Sequence, residues 1–186
     1  MVGLPVNFPL PSESASVSYD WFDFATGAGY KTFYGIGAQE TTNKQYFLHT
    51  SLIESDVNNR NTDLLGEGSH VYNFDLNFSI PVTIAAGAAI AGIEISSTAA
   101  VSVYATIGVY HVRGVTETSL GSASTRTISN TMDVECVTKF NLTKKAFAIG
   151  DTLRLKVTLV SGGNSGKFVY AEATPLKISI PFEVKN

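Results

Sequence analysis

The chain has 186 residues, 44% of them hydrophobic and 16% charged, with a formal net charge of −3. That length suits one domain with an appended arm, and the mildly acidic balance excludes a general nucleic-acid binder, which needs clustered Lys and Arg. A single cysteine, Cys136, excludes an internal disulfide framework and a cysteine-based zinc site.

Met1 to Ser18 carries Pro5, Pro9 and Pro11 and then Ser12, Ser14, Ser16 and Ser18. It has neither helical nor strand periodicity and reads as an extended arm. No basic run precedes an apolar one, so no signal peptide is expected, and synthesis in a cytoplasm is the default. Tyr19 to Ile36 is the densest aromatic stretch, with Tyr19, Trp21, Phe22, Phe24, Tyr30, Phe33 and Tyr34 around the small residues Ala25 to Gly29. That break predicts a hairpin with large rings on both faces, which an ordinary half-solvated hairpin does not need. The residues leave open whether those rings pack on this chain or on a neighbour. Gln45 to Leu52 gives a further short strand, and Glu54 to Ser69 is a polar linker. The sharpest shift in composition lies near Gly68. It divides residues 1–68 (arm, aromatic hairpin and linker) from residues 69–186.

Beyond Gly68 the alternation becomes regular. Tyr72, Phe74, Leu76, Phe78 and Ile80 oppose Asn73, Asp75, Asn77 and Ser79, a strand with one buried and one wet face. Val82 to Ile95, broken by glycines, suggests two short buried strands. It lacks the length and continuity of a membrane helix. Val101 to Val109, Val115 to Leu120, Met132 to Leu142, Leu153 to Leu159, Phe168 to Ala173 and Leu176 to Val184 follow, with Gly121 to Asn130 and Ser161 to Gly166 as polar loops. About eight strands at spacings of about ten residues, with no helix between them, predict an all-β fold. The expected form is an antiparallel two-sheet β-sandwich, jelly-roll-like, with the N-terminal extended arm and aromatic hairpin outside its core.

Catalytic and metal motifs are absent from the sequence. His49, His70 and His111 have neither metal-ligand spacing nor a carboxylate in a recognisable motif, and each reads as a structural or surface histidine. There is no Gly-x-Ser-x-Gly elbow and no phosphate loop. Cys136 reads as a small apolar core residue. No cofactor and no metal are expected, and the chain reads as non-enzymatic. Neither a nucleic-acid nor a membrane partner is expected.

Ala148-Ile149-Gly150-Asp151-Thr152-Leu153-Arg154-Leu155, followed by Leu176 to Val184, resembles jelly-roll virion structural proteins of tailed phages and environmental viruses. Trp21 to Phe24 and Tyr30 to Gly35 are similar to N-terminal segments of such proteins. The resemblance implies a capsid, decoration or fibre-base protein located in the virion, with other copies of itself and other virion proteins as partners and no catalytic residues. The low charge, the arm and the two-faced ring cluster point the same way. The partner-binding residues expected on this reading are Trp21, Phe22, Phe24, Phe33 and Tyr34. The alternative is a carbohydrate-binding β-sandwich module for glycan or host attachment, with Trp21, Tyr30 and Tyr34 as its platform.

Overall fold

The computed structural model describes residues 28–40, 43–50, 66–97, 100–129, 132–163, 166–169 and 176–183. Every regular element among them is a strand. They are β1 (Ala28–Glu40), β2 (Asn43–His49), β3 (Gly68–Asn77), β4 (Val82–Ile84), β5 (Gly87–Ser97), β6 (Val103–Arg113), β7 (Thr116–Ser124), β8 (Met132–Leu142), β9 (Lys145–Phe147), β10 (Thr152–Ser161), β11 (Gly166–Val169) and β12 (Lys177–Glu183). The all-β expectation is met. The strands from β3 onward exceed the expected eight; β4 and β5 answer to the two short strands expected over Val82 to Ile95, whereas the three-residue β9 is too short to leave a period in the sequence.

The hydrogen-bonded path runs β11-β5-β12-β1-β2-β3-β10-β6-β7, with β8 on β5 and the β4–β9 ribbon attached to β12. Pairing is antiparallel throughout, except where β2 meets β3 at Phe47↔Asp75. The sheet curls until β7 reaches β8, giving a nearly closed, barrel-like arrangement. At this seam Thr143 N donates to Leu120 O at 2.9 Å. Two features of β7 allow the approach. A bulge between Val109↔Gly121 and Tyr110↔Ser119 leaves Leu120 unpaired and turned into the core. Gly121 then lies so close to the Asn141 carbonyl that a Cβ there would collide with it.

One continuous core fills the interior. Phe33, Phe74, Ile95, Ile107, Leu155 and Leu176 are at most 1% exposed within it. Each such side chain contributes about 1.5–3 kcal/mol when fully removed from water, so packing alone can hold the fold without a disulfide.

The aromatic stretch differs from its expected form. Ala28 to Tyr34 pairs with β12, from Ala28↔Glu183 to Tyr34↔Lys177, and Tyr34 to Glu40 pairs with β2. The hairpin is therefore β1–β2, closed beyond Glu40↔Asn43, and Ala28 and Gly29 belong to a strand. The first limb of the expected hairpin lies outside the described residues. The expectation that the strands beyond Gly68 complete the core without this region is corrected. Phe33 is fully buried, and Gly35 packs so closely on Leu176 and Phe74 that a Cβ there would stand 2.6 Å from Leu176. The division at residue 68 falls between β2 and β3, which are neighbours in the sheet.

Candidate functional site

The most connected polar cluster is built around Asp151, at the turn between β9 and β10. Asp151 N donates to Ala148 O at 3.1 Å, Gly150 N to Phe78 O at 3.0 Å and Phe78 N to Asp151 O at 3.1 Å, so the turn is stitched to the end of β3. The carboxylate points back at β6. It accepts hydrogen bonds from Arg113 Nε at 2.7 Å and Arg113 Nη2 at 2.6 Å. It also accepts from His111 Nε2 at 2.8 Å and from the Ala148 N–H at 2.8 Å. The hydrogen bonds from Arg113 and His111 outweigh desolvation and hold Asp151 well below the usual carboxylate range. The same bonding raises the Arg113 pKa.

His111 is 5% exposed on the core face of β6. Its ring meets Phe147 edge-on at a centroid distance of 4.7 Å, and Phe147 in turn meets Phe78 at 5.2 Å. The packed rings fix the imidazole plane, and Asp151 fixes one nitrogen. A histidine–carboxylate dyad of this kind performs acyl transfer only when its other nitrogen bonds a nucleophile. Among the described residues no serine, threonine or cysteine bonds His111, and Asp151 is already saturated by other donors. The cluster works as a staple joining β6, β9, β10 and the end of β3.

A second polar group covers the outer face of β3, β10, β6 and β7. Arg154 binds Asp75 through Nε at 2.7 Å and Nη2 at 2.6 Å, and reaches Glu117 at 3.1 Å. Lys156 also binds Glu117 and lies 4.4 Å from the Tyr110 ring centroid. Partial burial raises the Glu117 pKa, but the hydrogen bonds from Lys156 and Arg154 more than offset this and the net shift is downward. Charges here satisfy one another, as in an external structural network.

Of the expected partner-binding residues, Phe33 and Tyr34 are described, and they lie on opposite faces of β1. Phe33 is buried in the chain's own core, with its ring 5.9 Å from that of Phe182. Tyr34, half-buried, stands on the opposite face of β1, across from Lys177 and His49. Trp21, Phe22 and Phe24 lie outside the described residues. His70 Nε2 lies 3.1 Å from Gly66 O. Among the described residues no group of three or more His, Cys, Asp or Glu could hold a metal ion, and no helix is long and apolar enough to cross a membrane. The sequence reading missed the pairing of His111 with Asp151. The available signal was Arg113 two residues from His111, with an aspartate in a Gly-Asp turn, but nothing local ties the two segments together.

No family model and no curated protein matches the chain. Solved structures do match in fold. An aminopeptidase from a marine sediment archaeon (Thaumarchaeota archaeon) aligns with a TM-score of 0.57 and 11% identity over 85% of this chain and 37% of its own. An α-amino acid ester hydrolase aligns with 0.56 and 12% over 82% and 36%. A CocE/NonD family hydrolase from Staphylococcus aureus aligns with 0.53 and 10% over 83% and 37%. The chain thus spans little more than a third of the length of these structures, and at such identity the likeness is one of fold. It overturns the virion reading. The fold shared by this chain is that of hydrolase β-rich parts, and neither a capsid, decoration or phage role nor the carbohydrate-binding alternative has support from it. The short strand and turn patterns behind that resemblance, such as Gly150-Asp151 before an alternating strand, are common to many β folds.

Proposed function

We propose that this chain is a non-catalytic β module of a hydrolase-type assembly, serving a separate catalytic unit that acts on ester or amide bonds of amino-acid derivatives. The observation that carries this reading is the asymmetry of coverage. The alignments take in 82–85% of this chain but only 36–37% of each hydrolase. The chemistry of the best-connected polar cluster supports it, because Asp151 spends its acceptors on Arg113, His111 and Ala148 and, among the described residues, no nucleophile joins them. The neighbours' names supply the class of substrate.

In finer architecture we read the barrel-like arrangement as a flattened, jelly-roll-like sandwich. One wall is β3, β10, β6 and β7, and the other is β8, β5, β12 and β1. The single core cluster shared by both walls favours this reading.

The test uses the chain alone and then with a partner. Incubated with a fluorophosphonate probe, p-nitrophenyl acetate and an aminoacyl p-nitroanilide, the chain should show neither labelling nor turnover. Labelling at a serine, or turnover that His111→Ala abolishes, would overturn the non-catalytic reading. Cross-linking in the source cells, followed by peptide sequencing, should identify a serine hydrolase whose kcat/KM changes when purified chain is added. No change in that hydrolase's kinetics would overturn the supporting role.

A further inference from the structure

Among the described residues, β8 is paired in register along one side only. Its residues pair with β5 in an unbroken register from Met132↔Ser97 to Leu142↔Gly87. Among the described residues its other edge meets backbone only at one end, where β7 passes Asn141 and Thr143. That contact settles which groups the rest of the edge presents. The N–H and C=O of one strand residue point the same way, and successive residues alternate. The Asn141 carbonyl faces β7, so the backbone groups of Lys139, Val137 and Glu135 also point away from β5. No described strand receives them.

The side chains of these three residues are exposed as well, Val137 at 65%. Proteins protect such an edge with proline, a bulge, a short strand or repelling charge. β8 is eleven residues long, has no proline and no register shift, and carries its negative charges, Asp133 and Glu135, on one side of Val137 and its positive charge, Lys139, on the other. Its order of charges is complementary to itself. A second β8 laid antiparallel with Val137 opposite Val137 sets Glu135 against Lys139 on both sides of the two-fold axis. The two valines, each an isolated apolar side chain on a charged strand, then cover one another. The overlap ends before Asn141, where β7 occupies the edge. Centring the pair on Glu135 instead would set like charges together at the axis.

We propose that the open edge of β8 pairs antiparallel with β8 of a second copy of this chain, in the register Val137 to Val137, extending the sheet across a two-fold dimer. The ladder comprises the outward backbone groups of Glu135, Val137 and Lys139. Such a short contact makes a weak dimer, with a dissociation constant on the order of 10–100 μM. The proposal does not depend on the hydrolase reading.

The experiment is sedimentation velocity of the full chain from about 10 μM to about 1 mM, chosen to bracket the expected constant. It is joined by amide hydrogen exchange resolved at residues 135, 137 and 139. The expected result is a concentration-dependent dimer with protection of those three amides rising in step. Glu135→Lys and Lys139→Glu should each weaken association roughly tenfold, and the double exchange should restore it. Val137→Pro should abolish the dimer while leaving the monomer folded, because this N–H does not serve the β5 ladder. A chain that stays monomeric at the highest concentration overturns the proposal. So does a dimer indifferent to the single charge reversals, or one that the double exchange fails to restore. The charge pair decides the matter even if the proline variant does not fold.

Discussion

The Asp151 carboxylate lies 2.8 Å from the His111 ring nitrogen across forty residues of sequence, and the same oxygen accepts from Arg113 at 2.6 Å. A turn and the end of a strand are held together by one ionised side chain. Hydrogen bonding from Arg113, then from His111, keeps that side chain charged below its ordinary value of 3.8.

A carboxylate with a depressed folded-state pKa adds stability that is full above the unfolded value and is lost as pH falls through the folded one. Asp151→Asn should therefore lower the thermal midpoint most near neutral pH. The gap from the parent should narrow below pH 3.8 and close in strong acid. Circular-dichroism melts of both proteins across that range check this. A gap that persists unchanged in strong acid would mean that the loss comes from packing rather than from charge.

How much of this was legible in the sequence depends on how local the signal was. β3, β8, β10 and β12 each alternate cleanly, and Phe74, Val134, Leu155 and Ile178 are buried as expected, whereas Ile80, expected on the same buried face as Phe74, lies beyond the end of β3 and is exposed. β1 was harder because rings occur on both of its faces and its partner is remote. Thr32 hydrogen-bonds Ser179 at 2.8 Å across 147 residues, and no spacing within the first fifty residues encodes that. Glycines at 27 and 29 looked like a turn, yet β1 is already extended at Ala28. The Asp151 staple was hidden for a related reason. His111 and Arg113 sit on β6 and Asp151 in the β9–β10 turn, and only the fold brings the two segments together.

Phe33 tests whether β1 belongs to the core. It is 0% exposed and packs on Phe182, so Phe33→Ala should cost about 3–5 kcal/mol in urea unfolding. Tyr34 faces the other way and is only half-buried. Tyr34→Ala should cost about 1 kcal/mol. Equal losses at the two positions would contradict the assignment of faces.

Gly121 marks where the barrel closes. Because a Cβ there meets the Asn141 backbone, the Ala variant cannot relieve the contact by rotating a side chain. The β7–β8 seam must part instead. Gly121→Ala should destabilise the fold by about 1–3 kcal/mol. In hydrogen exchange, deprotection should concentrate at Thr143, whose N–H bonds Leu120 O. Uniform deprotection would place the damage elsewhere.

The outer network predicts a small effect despite its many bonds. Arg154 grips Asp75 with two nitrogens and also touches Glu117, but the side chains of all three keep between 24% and 35% of their surface in water. Solvent screens such pairs, and holding long side chains in one geometry costs entropy, so exposed ion pairs contribute about 0.2–1 kcal/mol. Arg154→Ala should cost about 1 kcal/mol at low salt and less at about 1 M salt, where charges are screened within about 3 Å. A double-mutant cycle with Glu117→Gln separates the shared contact from the Asp75 contact. The coupling should shrink with salt if it is electrostatic. A coupling that stays constant would assign the loss to the aliphatic part of Arg154 lying along the sheet.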